Sequence, residues 1–285
     1  MLANSAATLP RGHYLIETYL FDINAGGSFD QRGQRLGSPH SHLYGTLTYA
    51  LLGVTDRVSL GLVPVTGYAR EADGGRSAGL RPGDLAGMLQ FKMMSENRCN
   101  AQPTVSINVQ ETLPTGKYDD LGDRTADGMG SGAYTTTVSL FGQKSYWLPN
   151  GRILRMRLDV SQAVSRSVAL TGASVYGTPE TFRGHAEPGA TTFVDASWEY
   201  SATRRWVAAL DATYRHARTT RVVGNPAGAP TSATATAPGD AFGLAPALEY
   251  SWTANLGVLV GTRVIVAGRN ASATVTPAIA INYVH

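Results

Sequence analysis

Residues 241–252 read AFGLAPALEYSW, and the two sides of this stretch differ in character. Phe242, Leu244, Pro246, Leu248, Tyr250 and Trp252 fall on one side, and Gly243, Ala245, Ala247, Glu249 and Ser251 on the other. Successive side chains of a strand point to opposite faces, so alternation over this length predicts a strand between two environments. The next stretch repeats the pattern: Leu256, Val258, Val260, Thr262, Val264 and Val266 oppose Gly257, Leu259, Gly261, Arg263 and Ile265. Upstream, Leu154, Met156, Leu158 and Val160 oppose Arg155, Arg157, Asp159 and Ser161, and Val194, Ala196, Trp198 and Tyr200 oppose Asp195, Ser197 and Glu199.

Followed along the chain, this rhythm predicts twelve strands. They lie near 13–21, 41–52, 57–66, 84–94, 103–112, 133–146, 153–165, 191–201, 205–216, 242–253, 256–266 and 272–284. Many approach the ~9–11 residues that a tilted strand needs to cross a bilayer. The connections alternate in length. Residues 53–56, 148–152, 202–204 and the join near Ala254 are tight turns, and 95–102 is a longer member of the same set. Residues 22–40, 67–83, 113–132, 166–190 and 217–241 are long polar loops, whereas 267–271 is short. Short turns at one end and long loops at the other predict an all-β, antiparallel, up-and-down transmembrane barrel of about twelve strands. The short turns are then periplasmic and the long loops extracellular. Pro64, Pro246 and Pro277 fall inside strands, and each implies a bulge or a strand end because proline donates nothing to a ladder.

Composition supports lipid outside and water inside. Hydrophobic residues make up 43% of the 285 and charged residues 16%, below the roughly 25% of soluble domains. No apolar run approaches the ~20 residues of a membrane helix. Tyr14, Trp198, Tyr200, Trp206, Tyr214, Phe242, Trp252 and Tyr283 stand near the ends of apolar faces, as interfacial girdles require. A net charge of +3 with scattered basic residues does not suggest nucleic acid. The single cysteine, Cys99, allows no intramolecular disulfide. The start, MLANSAATLP, lacks the basic and apolar regions of a signal peptide, and residues 1–11 are expected to form a periplasmic segment of one 1–285 barrel domain.

On the polar faces stand Glu17, Asp84, Lys92, Arg155, Arg157, Asp159, Asp195, Glu199, Asp211, Arg215, Glu249 and Arg263. These are the expected lumen charges. They either neutralise one another within a narrow barrel or select the solute that passes. Three other clusters invite chemistry. His40, Ser41 and His42 are the one His-Ser cluster, without an accompanying catalytic signature, so no enzyme activity is expected. Asp119, Asp120, Asp123 and Asp127 crowd one loop, but their spacing lacks the EF-hand pattern, and neither metal nor cofactor is expected. GMGSG at 128–132 lacks the Lys-Ser/Thr of a phosphate loop.

Several segments, in order, resemble the outer-membrane family described as the MetA-pathway of phenol degradation. They are LPRGHYLIETYLFD (9–22), YALLGVTDRVSLGLVP (49–64), RPGDLAGMLQFK (81–92), ETLPTGKYDDLGD (111–123), GMGSGAYTTTVSL (128–140), LAPALEYSWTANLGVLVGTRV (244–264) and PAIAINYVH (277–285). The resemblance implies an outer-membrane channel for passive uptake of small hydrophobic or aromatic compounds. Lipid, lipopolysaccharide and the barrel-assembly machinery would be its partners. It brings no residue-level site. A structural or partner-binding barrel with a plugged lumen is the alternative, with an outer-membrane hydrolase behind it. One departure concerns the end, where such barrels commonly carry an aromatic residue: Tyr283 stands two positions earlier, and His285 occupies the last place.

Overall fold

A computed structural model describes residues 3–97, 102–226 and 232–285, so Cys99 lies outside the described residues. The strands in chain order are β1 (Tyr14–Phe29), β2 (Arg35–Thr55), β3 (Val58–Val63), β4 (Val65–Arg70), β5 (Arg81–Pro82), β6 (Leu85–Met94), β7 (Thr104–Leu113), β8 (Thr135–Trp147) and β9 (Ile153–Ser165). They continue with β10 (Val168–Thr171), β11 (Phe182–Glu187), β12 (Thr191–Ser201), β13 (Trp206–Ala217), β14 (Arg221–Pro226), β15 (Ser232–Ala235), β16 (Gly239–Ser251), β17 (Leu256–Arg269) and β18 (Ala271–Val284). β3 and β4 are two halves of one wall strand divided at Pro64, both paired with β2. β1 pairs with β2 on one side and β18 on the other, so the sheet closes into a twelve-stranded antiparallel barrel. Closure removes the exposed edges that would otherwise leave backbone groups unpaired in lipid.

The barrel is inside-out relative to a soluble protein. Leu62, Leu248, Val260 and Ile281 are 54–55% exposed on the outer surface, whereas Asp195 and Asp211 are 0% exposed within. The outward polar exceptions satisfy each other: Thr18 and Thr48 hydroxyls lie 3.1 Å apart, and those of Thr46 and Thr66 2.9 Å. Aromatic side chains cluster at the short-turn rim, where Trp206 packs on Tyr250 at 4.8 Å and Tyr14 on Tyr283 at 6.0 Å. His285 completes this rim. Its N–H donates to Tyr14 O at 2.9 Å, and its ring lies 5.2 Å from that of Tyr14. At the outer rim Tyr214 meets Phe242 at 4.8 Å.

The prolines behave differently from one another. Pro64 ends a strand, as expected. Pro246 and Pro277 remain within β16 and β18, and pairing lapses beside each on one flank only, between Leu244 and Ala247 toward β17 and between Val275 and Ala278 toward β1. The expected bulge or strand end is therefore absent at both. The expected 22–40 loop is also corrected: most of it extends β1 and β2 into a hairpin closed by Asp30, whose carboxylate accepts from the backbone N–H groups of Arg32 and Gln34. The loops 166–190 and 217–241 contribute a separate four-stranded sheet, β10-β11-β14-β15. Its apolar core is Ala133, Val168, Leu170, Phe182 and Ala186, with Tyr118 and Tyr176 packed against it.

Candidate functional site

The register of β9, β12 and β13 builds one wall of the lumen from charge. Asp159 lies opposite Asp195, Arg157 opposite Ser197, Ser197 opposite Asp211, and Arg155 opposite Glu199. Glu199, 1% exposed, accepts from Arg155 Nε at 2.6 Å and pairs with Arg157 Nε at 2.9 Å. This triad is the cross-strand neutralisation expected of buried charges. Asp159 and Asp195 are directly opposed like charges, an arrangement that destabilises a sheet unless something compensates it.

The opposite wall has a different character. Leu15, Tyr19 and Phe21 of β1, Leu47, Tyr49 and Leu51 of β2, Met88 of β6 and Leu259 of β17 all point inward. Tyr19 and Tyr49 meet edge to face at 6.3 Å. Tyr19 donates to Glu17 at 2.9 Å, so the one carboxylate on this part of β1 has a partner. Sequence reasoning missed this apolar wall. Its signal was present in YLIETYLF, where Ile16 and Leu20 face lipid while Leu15, Tyr19 and Phe21 face the lumen. Both faces of β1 are apolar, so alternation is lost there.

Between the two walls runs the N-terminal segment. Expected as a periplasmic segment, it turns into the barrel at the short-turn rim and climbs to mid-height along β3, β6, β7, β8 and β9. Leu9 N–H donates to Ser59 Oγ at 3.0 Å, and Thr8 Oγ1 donates to Asp56 O at 2.8 Å. Higher up, Ser106 Oγ donates to Ala6 O, Gln90 Nε2 to Ser5 O at 2.8 Å, and Arg157 Nη1 to Ala3 O at 2.8 Å. Asn4 N–H donates to Asp159 Oδ2 at 2.6 Å. Small residues make the fit possible: Ala6 is 0% exposed. Beside the segment the lumen holds a cavity of about 550 Å³. Residues 3–5 and 7–9 with Arg155 and Arg157 form one side, and the apolar wall with β16–β18, which carry Glu249 and Arg263, forms the other.

Of the twelve expected lumen charges, Glu17, Arg155, Arg157, Asp211, Glu249 and Arg263 line this cavity. Asp159, Asp195 and Glu199 are buried in the charged wall behind it. Lys92 shares the inward face of β6 but sits near its short-turn end, and Arg215 is exposed near the outer end of β13. Asp84 is corrected. It precedes β6 and ties loops together, accepting from Gly116 N–H at 3.0 Å and from Ser131 N–H and Oγ at 2.7 Å. Gly116 and Gly130 cross so closely that a Cβ on Gly116 would meet Gly130 Cα at 2.7 Å.

The remaining clusters are structural ties. His40 and His42 alternate with Ser41 along β2, so the hydroxyl points to the opposite face from both rings and no nucleophile–base pair forms. His40 Nδ1 lies 2.7 Å from Asn24 Oδ1, and His42 Nδ1 3.0 Å from Asp22 Oδ2. In the acidic loop, Asp119 accepts from Thr171 N–H at 3.0 Å, and Asp127 accepts twice from Arg81 and once from Ala78 N–H. The Arg81 guanidinium and that N–H hold the Asp127 carboxyl below its ordinary value. Within GMGSG, Met129 and Gly130 N–H groups are spent on Lys117 O. Burial, with Asp84 nearby, pushes the Tyr176 hydroxyl up to about 12 and keeps it a neutral donor to Ser131 O at 2.7 Å.

No family model and no curated protein sequence matches the chain. Among solved structures, the COG4313 outer membrane channel from Pseudomonas putida F1 superposes over 100% of both chains, with a TM-score of 0.73 at 14% identity. The transport unit of the autotransporter AIDA-I from Escherichia coli reaches a TM-score of 0.48 at 10% identity, over 99% of this chain and 93% of that one. At such identity the first likeness establishes a shared fold. The chain is a transmembrane β-barrel of the outer-membrane type, and the likeness goes no further than that.

Proposed function

We propose that this chain is a bacterial outer-membrane channel for passive uptake of small hydrophobic or aromatic compounds. The observation that carries the reading is the amphipathic cavity. Its ~550 Å³ falls within the roughly 300–1,000 Å³ of small-molecule sites. The apolar wall offers Tyr19, Phe21, Tyr49 and Leu259 to an aromatic body, and Arg155, Glu249 and Arg263 around the same cavity offer charge to a polar substituent. The family resemblance of the sequence supports the same solute class, and the likeness in fold to the P. putida outer membrane channel supports a channel role. Lipid, lipopolysaccharide and the assembly machinery are the partners this reading implies.

Proteoliposomes test it. A charged aromatic such as benzoate crosses protein-free lipid slowly, because the charge is costly to desolvate. Folded protein should accelerate its entry, and solute-tight vesicles at high protein occupancy would refute the reading. A second reading, a structural barrel with a plugged lumen, draws on the N-terminal segment within the barrel. Neutralising Arg155, Arg157 and Arg263 separates the two, since a channel changes its ion selectivity whereas a plugged barrel changes only its stability.

A further inference from the structure

The N-terminal segment holds its place by an unusual set of contacts. Each polar contact named above runs from a backbone group or a small side chain to the wall, and the segment pairs with no strand of the barrel ladder. Removing it therefore leaves every wall strand paired with its neighbours. Its route is shaped for it. Gly53 lies where Leu9 and Pro10 pass, and a Cβ there would meet Pro10 O at 2.1 Å and Leu9 O at 2.6 Å. Gly12 N–H donates to Gly53 O at 2.8 Å at the same crossing. The segment also covers the side of the lumen richest in charge, engaging Arg157 and Asp159 directly.

We propose that Ala3–Leu9 is the selectivity element of the lumen. It fills the polar half, withdraws Arg157 and Asp159 from passing solutes, and confines passage to the route along the apolar wall. A bare charged wall would hold a water-filled path and conduct small ions; the seated segment suppresses that path while leaving room for a compact aromatic body. This inference rests on the channel reading.

The test compares the parent chain, a deletion of residues 3–9, and Gly53→Leu, whose side chain blocks the crossing. Heat-modifiable gel migration confirms that each barrel is folded. In planar bilayers both variants should show a severalfold rise in single-channel conductance and admit neutral sugars that the parent excludes, with little change in benzoate entry. A second measurement reads the segment itself. In a Cys99→Ser background, Ala6→Cys should react with a polar maleimide at least tenfold more slowly than an exposed loop cysteine, and Gly53→Leu should abolish that protection. Unchanged conductance in a folded deletion variant, or rapid labelling of position 6 in the parent background, overturns the proposal. If the parent admits benzoate and the deletion changes nothing, the selectivity role falls while the channel reading stands. If parent and deletion are both tight, the two fall together.

Discussion

Replacing Glu199 by glutamine removes the buried negative charge of an ion-pair group while nearly preserving the shape of the side chain. Glu199 is 1% exposed, the Arg157 side chain 8% and the Arg155 side chain 36%. Breaking a buried pair by removing one charge costs about 3–5 kcal/mol, because the remaining charge stays desolvated. Arg155 reaches water and contributes little to that cost. Arg157 keeps the Ala3 carbonyl at 2.8 Å, which places the expected loss near the lower bound, about 3 kcal/mol. With a urea slope of about 2 kcal/mol per molar, the midpoint should fall by roughly 1.5 M. Unfolding in lipid vesicles can be followed by fluorescence from the interfacial tryptophans. Glu187→Gln is the control: Glu187 is exposed, its partner His185 lies 3.7 Å away, and its loss should stay within about 0.5 kcal/mol. Replacing both members, Arg157→Met with Glu199→Leu, should destabilise less than the single change, because no orphaned charge remains. A midpoint for Glu199→Gln indistinguishable from that of the control would refute the reasoning.

Val160→Arg places a cation on the lipid face near the middle of β9, and should cost about 2–4 kcal/mol in the same unfolding assay, whereas the loop substitution Arg183→Lys should be silent. Gly116→Val forces the Gly116–Gly130 crossing apart, so limited proteolysis should open the 113–132 loop while the barrel retains its heat-modifiable migration. Asp127 gives a pH signature of known sign. Its folded carboxyl titrates below the ordinary value of about 4, so its contribution is fully present above that value and is lost as pH falls through the folded value. Hydrogen exchange of residues 77–81 should therefore rise in that acidic window, and Asp127→Asn should remove this step.

Much of the barrel was legible because period-two alternation is a local property. Ile153–Ser165 and Thr191–Ser201 match their expected bounds residue for residue, and the other wall strands except β1 and β2 lie within a few residues of theirs. The 22–40 hairpin was hidden because Gly26, Gly27 and Gly37 carry no side-chain pattern beyond the membrane. Asp84 carried the right residue type on the edge of a strand, but whether it faced lumen or loop depended on Gly116 and Ser131, which lie 32 and 47 positions away.

The sequence by itself determined the alternation, the short-turn and long-loop order, the lipid-facing surface and the charges of β9 and β12, since each follows from neighbours one or two residues apart. Only the tertiary structure decided what fills the lumen. Asn4 meets Asp159 across 155 positions, and Ala6 meets Ser106 across 100. The apolar wall exists because closure turns one face of β1 and β2 inward, opposite β9, β12 and β13. Contacts of that kind depend on the register and curvature of the whole sheet, and no stretch of chain read alone encodes them.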